Sequence, residues 1–253
     1  VIRVVTDGPK DDDDFYKVID ARERLIKKWK DTGGTRPRTT QIYRQLRPFL
    51  VSVFKEKCGY CETKRSGGPK SIDHFRPTNQ VTADREVMAH TGYWWLVYEW
   101  YNLLPACEEC NEWYCKIVRG EKEMRGKASE FPTSGQRVAS PSDEASNWRA
   151  ELKAEQPLLI CPYDDYPEEH IKFDRVTFYP QGLTDRGEVT IKVCGLDRDD
   201  LFSARCEALE RLKKILIGEL NEGTFTTTKV DDSEQHSAFL NTWLSYLRES
   251  ARD

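Results

Sequence analysis

The sequence predicts an α+β chain held together at its centre by a structural zinc ion. Three observations predict it. Two CxxC pairs, Cys58-Gly59-Tyr60-Cys61 and Cys107-Glu108-Glu109-Cys110, bracket an Asp73-His74 pair. Apolar residues recur at helical spacing near both ends of the chain. Short runs after residue 170 alternate like strands. The expected organisation is a helical region over 1–57, a stapled core over 58–131 and an α+β region over 132–253. That last region either packs on the core or binds a partner.

Bulk properties narrow the class. The chain has 253 residues, 38% hydrophobic content and a net charge of −4, enough apolar material for a core and too little positive charge for a non-specific DNA coat protein. A local basic groove would still meet phosphates. No apolar run approaches the roughly 20 residues that span a bilayer. No signal peptide is evident, and the expected location is cytoplasmic. In that reducing setting, closely spaced cysteine pairs read as zinc thiolates rather than disulfides.

In chain order, Val1-Ile2-Arg3-Val4-Val5 reads as a strand ended by Gly8-Pro9. The acidic run Asp11 to Asp14 suits a helix N-terminus. Phe15, Val18, Ile19, Leu25, Ile26 and Trp29 follow at helical spacing, and Gly33-Gly34 stops the helix. A second helix is expected over 40–55, kinked or starting late at Pro48. Ser71 to Phe75 reads as a strand, and 78–92 as loop. Tyr93 to Tyr101 could stack bases, but core packing of a helix is the preferred reading. A helix is expected to carry Asn111 into Tyr114, followed by a basic stretch holding Lys116, Arg119, Lys122, Arg125 and Lys127. Residues 132–146 read as a linker. The runs 171–173, 176–178 and 189–193 read as a small antiparallel sheet, followed by a helix to about Leu220 and another over about 234–248.

The chemistry lies in the centre. Cys58, Cys61, Cys107 and Cys110 supply four thiolates, which close a tetrahedral zinc site with no open position. A redox dithiol would need only one CxxC. Asp73 and His74 are adjacent, so on a strand they point to opposite faces. The strand end implied by Pro77 allows Asp73 to bind a divalent ion while His74 takes a proton from water. Cys115 could compete as a ligand but reads better as a buried thiol, His170 could be a second functional histidine but reads better as a fold-supporting residue, and His90 and His236 carry no assigned role.

These residues resemble the HNH (ββα-metal) endonuclease superfamily. The likeness runs through Asp73-His74-Phe75-Arg76-Pro77, the segment from Tyr93 to Asn111, Phe131-Pro132, Pro157 to Phe173 and Gly195 to Arg205. It is similar in particular to the PtuB-like HNH nuclease subunits of Septu-type and retron-associated anti-phage systems, which work beside an ABC-type ATPase. The resemblance implies a zinc-stapled ββα-metal core. It implies His74 as general base, with Asn102 orienting it through its side-chain amide. It makes Asp73 and Asn111 ligands of a catalytic Mg²⁺ or Mn²⁺, and the four cysteines ligands of structural Zn²⁺. DNA is the implied substrate and an ABC-type ATPase the implied partner. Members commonly continue as CNxxK shortly before Phe-Pro. Here Lys116 comes later and a longer basic segment precedes Phe131, so the phosphate-contacting lysine is left open.

The expectation is therefore a metal-dependent DNA endonuclease, with Lys70, Arg76, Lys116 and Arg119 as candidates for the phosphate groove. The alternative is a zinc-stapled binding module without cleavage activity. A weaker option is a non-cleaving regulator inside a larger defence complex.

Overall fold

The computed structural model describes residues 1, 3–9, 13–142, 148–221 and 230–250. Ile2 and Lys10 of the expected first strand, Asp11 and Asp12 of the acidic run, and 143–147 of the expected linker lie outside them.

Helix α1 (Asp13–Asp31) opens on Asp13 and Asp14, and its carboxylates complement the positive helix end. It buries Val18 and Leu25 and ends at Gly33 and Gly34, both at positive φ. A 3₁₀ turn over Gln41–Leu46 leads into α2 (Arg47–Val53). Pro48 sits in the first turn of α2, where its missing N–H costs nothing, so the late start is the outcome. The described residues of 1–9 form no strand, although the Val4 amide donates to the Pro162 carbonyl at 2.8 Å.

The centre is a two-stranded antiparallel sheet. Strand β1 (Ser71–His74) is followed in the chain by a short hairpin, β2 (Thr82–Ala83) and β3 (Glu86–Val87), in the stretch expected to be loop. Strand β4 (Leu103–Ala106) then pairs with β1, with Asp73 opposite Leu104 and His74 opposite Leu103. The one-turn helix α3 (Glu108–Asn111) follows directly. Between β3 and β4, the aromatic run forms two 3₁₀ turns, Trp94–Leu96 and Trp100–Asn102, rather than one helix. Its packing role stands: Tyr93, Trp94, Trp95 and Leu96 are all buried, and Trp94 meets Trp29 of α1 at 6.0 Å between centroids.

Three further expected elements differ. The helix expected through Tyr114 stops at Asn111, and β5 (Tyr114–Val118) and β6 (Glu121–Arg125) form a hairpin. Arg119 and Gly120 both have positive φ, the backbone a tight hairpin loop of this hand requires. The run 176–178 is a turn, because Asp174 Oδ1 accepts the amides of Val176 and Thr177; β7 (Ile171–Phe173) pairs instead with β8 (Pro180–Gly182). The run 189–193 is helical, within α5 (Asp185–Cys194). Its buried residues Gly187, Thr190, Ile191 and Cys194 follow helical spacing, Thr184 caps its start, and Gly195 at φ 60° ends it.

Helix α4 (Trp148–Ala154) precedes β7, and α6 (Asp199–Asn221) and α7 (Ser237–Ser250) close the chain. The main core draws on residues from Val1 to Leu201, so all three expected segments share it; α6 and α7 enclose a second, smaller cluster.

Candidate metal centre and adjoining histidine site

The four cysteines converge. The sulfurs of Cys58, Cys61, Cys107 and Cys110 all lie within 4.8 Å of one another, and all four residues are buried. The Cys61 and Cys107 sulfurs are 3.7 Å apart. A tetrahedral ion with sulfur ligands at about 2.3 Å places its sulfurs roughly 3.8 Å apart, so the cluster fits zinc. Burial, with the neighbouring Cys58 and Cys61 sulfurs, pushes the Cys110 thiol well above its usual range, a cost that a bound cation would offset. The first pair lies on a turn closed by Cys58 N–Thr63 O and Glu62 N–Cys58 O bonds, and the second at the start of α3, so the two turns would hold the ion between them. Donors surround the sulfurs: the Cys107 amide reaches Cys58 Sγ at 3.4 Å, and the buried Arg198 reaches Cys110 Sγ through Nη1 at 3.4 Å. Such donors offset the excess negative charge of a tetrathiolate.

The ladder between β1 and β4, beside the cysteine cluster, positions Asp73 and His74. Pleating sends them to opposite sides, as the spacing implied. Asp73 is buried: its Oδ2 accepts from Tyr60 Oη at 2.6 Å, and Lys127 Nζ lies 3.0 Å from Oδ2 and 3.3 Å from Oδ1. The same ammonium donates to the His74 carbonyl at 2.9 Å. His74 is half-buried, edge-on to Tyr43 with centroids 4.7 Å apart. Its Nε2 lies 3.1 Å from the Val97 carbonyl. A carbonyl can only accept, so Nε2 carries the proton and the neutral ring keeps its lone pair on Nδ1. Burial holds the His74 pKa below its usual value, which favours that neutral, basic form.

Asn102 is buried, but its amide does not touch the His74 ring. Its Oδ1 accepts from Arg76 N at 2.8 Å, and its Nδ2 donates to the carbonyls of Arg76 and Leu96 at 3.1 and 3.3 Å. It acts one step removed, pinning the residue before Val97 and the residue two after His74. Asn111 ends α3, half-buried, and its carbonyl accepts from the Ala128 amide at 2.6 Å.

Two of the four expected phosphate contacts are committed elsewhere. Arg76 is buried, bonded to Glu155 Oε2 at 3.0 Å and to the Leu152 carbonyl at 2.8 Å. Lys116 is buried on the inner face of β5, donating to the carbonyls of Glu112 and Arg125. Lys70 is exposed, and Arg119 stands at the tip of the β5–β6 hairpin, with its guanidinium 4.9 Å from the Tyr179 centroid. Cys115 is exposed rather than buried, because it lies on the outer face of that hairpin. His170 bonds Thr184 Oγ1 through Nδ1 at 2.8 Å, at the start of α5, in keeping with a fold-supporting role.

The residue missed in the sequence is Lys127. The whole β5–β6 hairpin is an excursion whose ends meet: a Cβ on Gly126 would lie 1.8 Å from the Glu112 carbonyl oxygen. Beyond it the chain rejoins α3, with Lys127 N donating to Cys110 O at 2.8 Å. Lys127 is thus next to Asn111 in space although 16 positions on in sequence. Treating residues 112–126 as an insertion would have restored a lysine soon after Cys110-Asn111 and shortly before Phe131-Pro132.

The chain is 29% identical over 180 residues to the Septu protein PtuB of Bacillus mycoides (strain KBAB4), covering 68% of this chain and 54% of that protein. This similarity ties it to Septu proteins. It is also 29% identical over 173 residues to the Septu protein PtuA of the same organism, covering 67% of this chain and 21% of that one. The chain therefore spans about half the length of the first relative and about a fifth of the second. No family model matches it, and no solved structure matches it. No described helix is long and apolar enough to cross a membrane.

Proposed function

We propose that the chain is an HNH endonuclease that hydrolyses DNA phosphodiesters, as the nuclease of an anti-phage defence system working beside an ABC-type ATPase. The observation that carries the proposal is the His74–Val97 bond, which leaves a half-buried imidazole with its basic nitrogen at Nδ1, at the end of a strand beside the four-cysteine cluster. Such an imidazole is suited to draw a proton from water at Nδ1 near neutral pH. The order β1, β4, α3, with Asp73 and His74 on the first strand and Asn111 on the helix, supports a ββα-metal reading. Asp73 suits a cation: Lys127 already sets an ammonium against both its oxygens. A divalent Mg²⁺ or Mn²⁺ held by Asp73 and Asn111 would stabilise developing charge on the phosphate and its leaving oxygen. For such an ion to bind, Lys127 must leave Asp73. Asn102 holds the backbone on either side of the His74–Val97 contact, and of the four expected phosphate contacts Lys70 and Arg119 are the exposed ones.

The same Lys127 contact favours a second reading. If the ammonium stays on Asp73, the centre is a zinc-stapled binding module without cleavage. His74→Ala separates the two. With zinc content and melting temperature unchanged, plasmid nicking in Mg²⁺ or Mn²⁺ is expected to disappear. Full cleavage by the variant would sink the nuclease assignment.

A further inference from the structure

We propose that a cavity beside the zinc centre binds a nucleoside monophosphate. The cavity, of about 650 Å³, lies between the Cys58–Glu62 turn, the β7–β8 hairpin, α6 and α7. That is within the size range of small-molecule sites. Its lining is mixed, with Tyr60, Ile171, Phe173 and Phe239 forming the apolar, aromatic part.

Two buried polar side chains on its lining have unused capacity. Arg205 is 2% exposed and donates through Nη2 to the Leu196 carbonyl at 2.9 Å. Its Nε and Nη1 have no partner, and no carboxylate pairs with it among the described residues. Its guanidinium lies 4.9 Å from the Phe173 centroid. His236, also 2% exposed, has its Nδ1 3.0 Å from the Cys61 carbonyl. Nδ1 therefore carries the proton, and the unpartnered Nε2 is an acceptor. Leaving such buried groups without partners is unfavourable. Together they ask for an anion with paired oxygens at Arg205 and a hydroxyl or N–H at His236.

The remaining charges narrow the ligand. Of the acidic lining residues, Glu62 is committed to Ser237 Oγ at 3.1 Å, the Ala238 amide at 3.2 Å and Lys57 at 3.6 Å. Glu168 and Asp232 are exposed at the mouth. Cationic groups line the cavity as well, namely Arg3, Arg248 and the Val1 amino group, which lies 3.6 Å from Glu62, so the cavity suits an anionic occupant. A single phosphate with a ribose and base attached meets all of these demands, and aromatic walls suit a base. The Tyr60 ring on the wall carries the hydroxyl that bonds Asp73, so an occupant would touch a residue of the histidine site.

The test titrates the zinc-loaded chain with AMP, inorganic phosphate, adenosine and L-phenylalanine by calorimetry. AMP is expected to bind roughly tenfold tighter than any of the other three, and Arg205→Met to weaken it by at least roughly tenfold with zinc content unchanged. Should Arg205→Met lose zinc, hydrogen exchange on the wild-type chain replaces it: AMP is expected to protect amides in 171–173 and 236–241. Absence of both heat and protection overturns the proposal. So does phenylalanine binding as tightly as AMP, or undiminished AMP binding by a zinc-loaded Arg205→Met.

Discussion

Replacing Lys127 by Met tests how the centre is balanced. The ammonium is fully buried and holds both oxygens of a buried carboxylate, to which Tyr60 also donates. Met keeps the length and removes the charge. Breaking a buried pair from one side leaves an uncompensated ion and costs about 3–5 kcal/mol. For a chain of this size each kcal/mol shifts the melting temperature by about 2–4 °C, so a drop of roughly 6–20 °C is expected. Replacing both partners, Lys127→Met with Asp73→Asn, removes both charges and is expected to recover most of that loss. Urea unfolding of the wild type, both singles and the double variant, with zinc present throughout, measures it. Magnesium provides the link to function. If a divalent ion and Lys127 compete for Asp73, saturating Mg²⁺ raises the stability of Lys127→Met by about 2.7 kcal/mol at a hundredfold excess over its Kd, and that of the wild type by less. A Lys127→Met variant within about 1 kcal/mol of wild type, or a double variant no more stable than that single, refutes the reasoning. An equal Mg²⁺ response in wild type and variant refutes the competition.

Two further outcomes follow from the zinc centre and its surroundings. Cys107→Ser removes one of four buried ligands, and is expected to abolish zinc binding and unfold the β1–β4–α3 centre, read by metal analysis and circular dichroism; a zinc-free variant that keeps wild-type stability contradicts the staple. Burial, aided by the Arg205 guanidinium, holds the His236 pKa down to about 4, against about 6.5 unfolded. Between those values the unfolded chain binds more protons, so stability is full above pH 6.5 and falls as pH drops towards 4, by about 1.4 kcal/mol per unit. Between pH 7.5 and 5.5 the wild type is expected to lose about 1 kcal/mol more than His236→Asn in urea unfolding; equal losses remove His236 as the cause.

What was legible in the sequence is what depends on local spacing. The CxxC pairs specified the cluster, because two residues between cysteines suffice to turn both sulfurs to one side, and the structure brings all four within 4.8 Å. Strand pleating separated Asp73 from His74 in advance. Periodicity placed α1, α6 and α7. It failed at 189–193, where valine, threonine and isoleucine suggested a strand, although Thr184 and Gly195 were already in place as caps. Arg76 and Lys116 could not be read from composition at all. Whether a cation is solvated or buried depends on partners such as Glu155, 79 positions away, or on which face of a hairpin it occupies.

Lys127 is the most instructive case, because its obscurity and its position have one cause. The β5–β6 hairpin separates it from Asn111 in sequence, yet a hairpin returns the chain to its starting point. The contact between Gly126 and the Glu112 carbonyl leaves no room for a side chain, so the two ends close without displacing α3. The centre is thus indifferent to the length of the excursion, and the excursion is free to carry surface chemistry: Trp113 and Ile117 are exposed on it, as is Met124. The lysine that matters to Asp73 is therefore the one fixed by where the chain rejoins the helix, not the one nearest to Asn111 along the sequence.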